Sequence, residues 1–125
     1  MGKLSIVSAV LLALVSAAFA QMAPTKISET SKGKVLTDEK GMTLYIFDKD
    51  STGKSACNGK CAVNWPPLMA AADSKAMGDY TVITRDDGKK QWAYKGMPLY
   101  GWVKDKKPGD VTGDGVNNVW HTARP

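Results

Sequence analysis

Two segments of this chain, fifty-five residues apart, are nearly the same: residues 41–50 read GMTLYIFDKD and residues 96–105 read GMPLYGWVKD. Six of the ten positions are identical, and one further position is aromatic in both copies. The same offset, carried forward without a gap, places Trp65 on Trp120. Internal repetition of this kind is typical of a chain built from two copies of one unit, so the fold has to accommodate two equivalent halves.

The first 20 residues have the form of a secretory signal peptide. Lys3 provides the charged start, residues 6–15 are almost continuously apolar, and the segment ends in small residues of the kind that signal peptidase needs. We therefore predict cleavage between Ala20 and Gln21 and a location in the periplasm or outside the cell. The apolar run is too short for a membrane-spanning helix, which needs about 20 apolar residues.

The remainder of the chain has the length of one domain. Each repeat of about 55 residues is too small to be expected to fold on its own, so we expect the two repeats to share one core. The net charge of +5 arises from Lys and Asp residues that are interspersed, with no run of Lys or Arg longer than two. Mixed charges of this kind are typical of a solvated surface, and binding to nucleic acid is not predicted.

The domain boundaries follow from composition. Residues 21–33 are polar and offer little to bury, so we predict a flexible lead-in, with ordered structure beginning near Lys34. Residues 34–125 are expected to form the two-repeat domain. Repeat 1 is placed at about 34–68 and repeat 2 at about 80–122.

Turn residues divide both repeats into short segments of β character. In repeat 1, residues 35–37 and 42–47 flank a turn that ends in glycine, which predicts a hairpin. In repeat 2, residues 80–84, 91–94 and 97–103 are separated by two glycine-containing turns. This pattern predicts a three-stranded antiparallel meander.

Helices have little room, because 12 glycines and six prolines interrupt the chain. Short helical pieces are predicted at residues 59–64 and at residues 70–77. The predicted fold class is mainly β: a small single domain of two tandem, pseudo-equivalent β repeats with one or two short helices and one disulfide. Its core is expected to contain the repeated aromatic residues, namely Tyr45, Phe47, Trp65, Tyr100, Trp102 and Trp120.

The chain contains two cysteines, Cys57 and Cys61. In an exported protein such a pair is expected to form a disulfide, and one helical turn brings the two Cα atoms within the range that a disulfide needs. The closed ring is small and stabilises the fold by only about 2 kcal/mol. A redox or metal-binding role for the same pair is the alternative.

No cofactor is predicted, with copper or calcium as the alternatives. His121, the only histidine, could bind copper together with Met42 or Met97, because imidazole and thioether ligands suit that metal. A surface histidine and core methionines are the favoured interpretation. Asp110 and Asp114 lie in a segment that partly matches a calcium loop but lacks its bidentate Glu, so a glycine-rich turn is favoured there.

Catalytic groups are scarce in this sequence. It has one histidine, no nucleophile motif, and no free thiol once the disulfide forms. The repeated Asp50 and Asp105 could face one another as a carboxylate pair. A catalytic residue seldom needs a twin, so repetition favours a structural role, and we predict no enzymatic activity.

The repeated motif resembles that of a known family. The pattern Tyr-x-(Phe/Trp/Tyr)-x-x-Asp occurs twice, at residues 45–50 and 100–105, and short Gly, Cys and Trp motifs follow the copies. The chain resembles the predicted bacterial lipoproteins and secreted proteins described as a secreted repeat of unknown function, over roughly residues 33–122. The resemblance implies an exported two-repeat domain without established activity. No cysteine follows the predicted cleavage point, so acylation is not expected.

We interpret the chain as an exported, non-enzymatic binding module. Its partner is an unknown ligand or an envelope component. The candidate binding surface consists of Trp65, Trp92 and Tyr94, with exposure of Trp65 as the alternative to its place in the core. The first alternative is a periplasmic copper or thiol-redox protein that uses the cysteine pair and His121. The second alternative is a binder of carbohydrate or of another part of the cell envelope.

Overall fold

The computed structural model describes residues 22–125. The predicted signal peptide and its cleavage point lie outside the described residues. Among residues 22–125, no helix has the length and apolar character to cross a membrane.

The described chain is mainly β, as predicted. It contains seven short strands, one short α-helix and one 3-10 helix, in the order β1 Lys26–Thr30, β2 Gly33–Thr37, β3 Tyr45–Phe47, α1 Lys60–Asn64, β4 Tyr80–Thr84, β5 Lys90–Tyr94, β6 Met97–Pro98, the 3-10 helix Val116–Asn118 and β7 Trp120–Thr122.

The structure differs from the prediction at the start of the domain. Strand β1 lies inside the segment predicted to be a flexible lead-in, and it pairs antiparallel with β2, with Ile27 opposite Leu36. The strand carries no hydrophobic pattern in the sequence, because Ile27 is its one apolar residue. In the structure Ile27 is 59% exposed. Backbone pairing with β2, rather than burial of an apolar face, holds β1 in place.

The predicted meander of repeat 2 is present. Strands β4, β5 and β6 pair in that order as an antiparallel sheet. Lys95 and Gly96 connect β5 to β6, and both have positive φ, at 51° and 85°. A two-residue turn of this kind matches the twist of the flanking strands. The last strand is shorter than predicted and ends at Pro98.

The predicted hairpin of repeat 1 forms only in part. Thr37 and Thr43 make an isolated antiparallel bridge, but strand β3 takes its main partner from the other end of the chain. It pairs antiparallel with β7, with Phe47 opposite Trp120. The last strand of repeat 2 therefore completes repeat 1.

The reciprocal arrangement completes repeat 2. Tyr100 forms an antiparallel bridge with Pro67, which follows the tryptophan of repeat 1, and the Gly101 amide donates to the Pro66 carbonyl at 2.8 Å. Between the two units, the amides of Tyr45 and Tyr100 each donate to the other's carbonyl, at 2.7 and 3.0 Å. A pseudo-twofold axis therefore passes between these two tyrosines.

The helix predictions succeed once and fail once. Helix α1 falls within the predicted segment 59–64. Residues 70–77 form no helix. The segment starts along β5, where the Ala70 amide donates to the carbonyl of Lys90 at 3.0 Å and Met69 bridges to Gln91. At its other end the Met77 amide donates to the Tyr80 carbonyl at 2.9 Å instead of to a carbonyl four residues earlier.

Candidate functional site

Four aromatic rings form a continuous stack through the middle of the molecule, which we call the aromatic column. Its order is Phe47, Trp120, Trp65, Trp102. Successive ring centroids are 4.1, 3.8 and 3.8 Å apart, and the two central indoles are parallel within 2°. The central pair is buried and the two end rings are half-buried. The column obeys the pseudo-twofold axis, because each end ring stacks on the tryptophan of the other repeat.

The two repeated tyrosines lie edge-on to this column and are fully buried. The ring of Tyr45 meets Trp65 at 79° and the ring of Tyr100 meets Trp120 at 90°. Gly113 permits this packing on one side, since a Cβ atom there would lie 2.9 Å from ring atoms of both Trp65 and Tyr45.

Each tyrosine donates its hydroxyl proton to the repeated aspartate of the other repeat. Tyr45 Oη donates to Asp105 Oδ2 at 2.6 Å, and Tyr100 Oη donates to Asp50 Oδ2 at 2.6 Å. Burial, reinforced by these hydrogen bonds, raises the pKa of both phenols well above its ordinary value. Burial also raises the pKa of the Asp50 carboxyl, although hydrogen bonds from Tyr100 and a backbone amide act in the opposite direction. The family motif is therefore two reciprocal tyrosine–aspartate pairs.

Both carboxylates also accept hydrogen bonds from the loops that follow them. Asp105 Oδ1 accepts from the amide and the hydroxyl of Thr112, at 3.0 and 2.6 Å. Asp50 Oδ1 accepts from the Ala56 amide at 2.7 Å. These bonds hold the carboxylates in place as acceptors of the tyrosine protons.

Arg85 is buried beside one of these pairs, which the sequence gave no reason to expect. Its guanidinium donates to Ser55 Oγ at 2.9 Å, to Gln91 Oε1 at 2.8 Å and to the Cys57 carbonyl at 2.6 Å. Ser55 in turn hydrogen-bonds to the hydroxyl of Tyr100 at 2.7 Å. An arginine between Thr84 and Asp86 has the sequence signature of a surface residue, and only the fold turns it inward.

The predicted disulfide between Cys57 and Cys61 is confirmed, with Cα atoms 5.3 Å apart. Cys57 is buried against the aromatic column. Cys61 is half-buried and lines a groove of about 430 Å³ beside the edges of Trp65 and Trp120. With both sulfurs in the disulfide, neither is a thiolate ligand for a metal ion.

The histidine and the two methionines considered as copper ligands each have different neighbours. His121 Nε2 lies 2.7 Å from Asp48 Oδ2. Met42 is half-buried and lines a separate cleft beside Trp102. Met97 is 41% exposed on β6, so the core position favoured for it from the sequence is wrong. Within the described part of the chain, no three His, Cys, Asp or Glu side chains form a group that could hold a metal ion.

Asp110 and Asp114 accept hydrogen bonds from backbone amides. Asp110 Oδ2 accepts from the Lys106 and Lys107 amides at 2.8 and 3.1 Å, and the Lys106 bond above all holds the pKa of its carboxyl below the ordinary value. Asp114 Oδ1 accepts from the amide of Thr122 on β7 at 3.0 Å. Both carboxylates therefore have partners within the protein.

The predicted aromatic binding surface is wrong for two of its three residues. Trp65 and Trp92 are 5% and 6% exposed. Both faces of Trp65 are covered by other rings of the column, so no sugar ring can stack on it. Trp92 is buried because it lies on the central strand of the β4–β5–β6 sheet. Tyr94, at the end of the same strand, is half-buried.

Tyr94 lines a pocket of about 370 Å³ between the two hairpins, which we call the tyrosine pocket. Its rings are those of Tyr80 and Tyr94, with centroids 5.0 Å apart, and a hydrogen bond joins the hydroxyls of Tyr80 and Thr25. Repeat 1 contributes apolar wall from Ile27 and Leu36. Both repeats are thus needed to form the pocket.

The pseudo-twofold axis relates this pocket to a second one with a different lining, which we call the charged pocket. The backbone pairing makes Asp38 equivalent to Tyr94, and Trp92 equivalent to Leu36. Asp38 and Trp92 line the charged pocket together with Glu39 and Lys40. The apolar lining of the tyrosine pocket is therefore not imposed by the fold.

Fold and site together define a two-repeat β protein whose repeats exchange their last segments around one aromatic core. The family model described as a secreted repeat of unknown function matches residues 26–69 and 81–124, and the chain belongs to this family. The resemblance inferred from the motif is thereby confirmed, and β1 is included in the first repeat. No curated protein and no solved structure matches the chain.

Proposed function

We propose that this is an exported, non-catalytic binding protein that holds a small, mainly apolar molecule in the tyrosine pocket. The observation that carries the proposal is the contrast between the two symmetry-related pockets. The tyrosine pocket presents Tyr80, Tyr94 and Ile27, with Asp79 as its one charged residue. The other pocket adds Asp38, Glu39 and Lys40 to the apolar side chains of Leu68, Met69 and Trp92. A fold with twofold symmetry has no structural need for one apolar pocket, so the apolar lining points to a ligand.

The size and chemistry of the pocket agree with a ligand site. Small-molecule sites are concave, mainly apolar and larger than about 300 Å³, with a few polar groups that fix orientation. Here the polar groups are Asp79 and the hydroxyls of Thr25 and Tyr80. Because Asp79 contributes a carboxylate to the lining and no cationic side chain lines the pocket, a neutral or cationic ligand is favoured over an anionic one.

The geometry of the repeated aspartates supports a role without catalysis. Asp50 and Asp105 each accept a tyrosine hydroxyl proton and a backbone amide. A general base needs a lone pair directed at the substrate proton, and these carboxylates direct theirs at the protein. Export is supported by membership of a secreted family and by the signal-like first 20 residues, with cleavage before Gln21 and a periplasmic location as part of the proposal.

The first test is native mass spectrometry of the mature protein taken from its own cells, before and after denaturation. We expect an organic adduct that is lost on denaturation. The adduct-free protein should then bind the neutral fluorescent probe N-phenylnaphthylamine, in competition with the extracted molecule.

Two matched variants locate the site. Tyr94→Asp places in the tyrosine pocket the residue that the fold already carries at the equivalent position, and it should weaken probe binding at least about tenfold, or about 1.4 kcal/mol. Asp38→Asn, in the charged pocket, should leave binding unchanged while its side-chain oxygen still caps the turn at Lys40 and Met42. Equal effects of the two variants, or no binding by the unaltered protein, would refute the proposed site.

A further inference from the structure

We propose that the aromatic column is a one-electron relay that carries oxidising equivalents from the surface at Trp102 to the buried phenols of Tyr45 and Tyr100. This inference is independent of the tyrosine pocket, because no residue of the column lines that pocket. It rests on the ring stacking, on the charges at the two ends of the path, and on the tyrosine–aspartate pairs.

The stacking of the rings is closer than packing alone requires. Aromatic pairs in protein cores prefer offset or edge-to-face arrangements with centroids about 4.5–7 Å apart. The three indoles here have successive centroids 3.8 Å apart, and the planes of Trp65 and Trp120 differ by 2°. Extensive overlap of two indole faces lets a positive charge be shared between them, which makes removal of one electron easier than from an isolated ring.

The column has one oxidisable outer end. Trp102 is half-buried and lines a cleft, whereas the opposite end is Phe47, a ring that resists oxidation. The two central indoles, Trp65 and Trp120, are only 5% and 2% exposed. Trp102 is therefore the most exposed indole of the column, and an external one-electron oxidant takes an electron there first.

The fixed charges favour movement of the positive charge inwards. The Lys104 ammonium lies 5.8 Å from the centre of the Trp102 ring, so a radical cation on that ring is destabilised by repulsion. The carboxylates of Asp50 and Asp105 lie at the inner end, hydrogen-bonded to the two tyrosines. Charge on the column is therefore repelled from the surface. The attraction is strongest towards Asp105, because the buried Arg85 guanidinium lies beside the Tyr100–Asp50 pair and offsets the negative charge of Asp50.

The tyrosine–aspartate pairs supply the proton acceptor that phenol oxidation requires. The oxidant takes one electron from Trp102 and is thereby reduced. Trp65 then gives one electron to the oxidised Trp102, and Trp120 gives one electron to the oxidised Trp65. Tyr45 or Tyr100 gives the last electron to the column while its hydroxyl proton passes along the 2.6 Å hydrogen bond to Asp105 or Asp50. The products are a neutral tyrosyl radical, a protonated carboxyl group and the reduced oxidant, so charge and atoms balance.

The test is photo-oxidation of the full mature protein with ruthenium(III) tris(bipyridine), generated by a light flash, and detection of the radical by electron paramagnetic resonance. We expect a neutral tyrosyl radical in the unaltered protein. The double variant Tyr45→Phe with Tyr100→Phe should lose the tyrosyl spectrum and give an indole radical instead. Circular dichroism establishes that each variant is folded.

Two further variants separate the relay from direct oxidation of surface residues. Tyr94→Phe removes a more exposed tyrosine outside the column and should leave the radical unchanged. Lys104→Gln should increase the share of radical found on Trp102, because the repulsive charge is gone. If the double variant does not fold, the single variants Tyr45→Phe and Tyr100→Phe are compared with the unaltered protein, and at least one of them should lower the tyrosyl yield or change its hyperfine pattern. An unchanged yield and hyperfine pattern in both single variants overturns the proposal. A tyrosyl radical that persists without Tyr45 and Tyr100, or that vanishes with Tyr94, overturns the proposal.

Discussion

The repeated tyrosine and aspartate stand five residues apart in each copy, yet within a copy they are not partners. Tyr45 bonds to Asp105 and Tyr100 bonds to Asp50. A motif read along the chain suggests a local contact, whereas the contact here is made between the repeats. The same exchange explains why both residues occur in both repeats. If one repeat lacked its tyrosine or its aspartate, a buried group of the other repeat would have no partner.

A double-mutant cycle tests this exchange. Tyr45→Phe removes a hydrogen bond to a charged group, so we expect a loss of about 1.5–3 kcal/mol in the free energy of unfolding. Combined with Asp105→Asn, the two losses should be less than additive, since both act on the same charge-assisted bond. Combined with Asp50→Asn, the losses should add within about 0.5 kcal/mol. Urea denaturation measures all the variants, and equal coupling in both cycles would contradict the exchange.

The stability of the protein should fall in alkaline solution because of the same two tyrosines. The pKa of each phenol is raised in the folded protein, so their contribution is complete below the unfolded value of about 10 and is lost as the pH rises towards the folded value. We expect the free energy of unfolding to decrease above pH about 10. Phenolate absorbance should show Tyr45 and Tyr100 ionising only when the chain unfolds.

The control for this prediction is the variant with Tyr45→Phe and Tyr100→Phe, which should have a lower stability but a flatter dependence on alkaline pH. An unaltered protein in which all four tyrosines ionise before unfolding would contradict the assignment.

At the scale of the elements, the sequence predicted what local patterns determine. Strands β4 and β5 and helix α1 are flanked by their own turn residues, and the structure contains each of them. Strand β1 and the connection at residues 70–77 depend instead on hydrogen bonds to β2 and β5. Local composition does not reveal such pairing. Residue propensities therefore predicted a flexible lead-in at β1 and a helix at residues 70–77.

The same division applies to the candidate site. The aromatic residues of the column could be identified because they repeat, but their stacking order could not, since each end ring packs on the other repeat. Exposure of Trp92 was wrongly predicted because a tryptophan between Gln91 and Ala93 has no neighbour that signals a central strand. The burial of Arg85 was not predicted, because its sequence neighbours Thr84 and Asp86 likewise give no sign of it.

The loop that carries Gly113 packs directly against the column, and this contact can be tested by adding one methyl group. In Gly113→Ala the new Cβ would lie 2.9 Å from ring atoms of Trp65 and Tyr45, both of which are confined by other rings. We expect a loss of about 1–3 kcal/mol from this overpacking, measured by thermal and urea denaturation.

Gly101→Ala is the matched control for this substitution. The nearest atom to its new Cβ is the Pro66 carbonyl oxygen at 3.9 Å, so the methyl group fits. The two substitutions should therefore differ clearly in stability. A Gly113→Ala variant as stable as Gly101→Ala would mean that the rings of the column shift to make room for the new methyl group.

At the scale of the whole molecule, the exchange of last segments makes the repeats mutually dependent. Strand β3 needs β7 from repeat 2, and Tyr100 needs the Pro67 segment from repeat 1. Fragments 22–74 and 75–125 should each be unfolded alone, because each lacks a segment that closes its half of the core. Mixed in equal amounts, they should regain the circular dichroism of the intact protein.

Native mass spectrometry should show the fragments as a complex with one copy of each. Introducing Tyr45→Ala into the first fragment should prevent assembly, since it removes a fully buried ring on the axis at a cost of about 3–5 kcal/mol. A cooperative melting transition in either fragment alone would show that the repeats are independent.

The pseudo-twofold axis has a consequence for the history of the molecule. Contacts in which position i of one unit meets position j of the other, and the reverse, are those of a symmetric homodimer, so a single-copy ancestor would have had to assemble in pairs. Such a pair carries the same side chain at both of its pockets. Two copies on one chain are free of that restriction, so one pocket can carry Tyr94 while its counterpart carries Asp38.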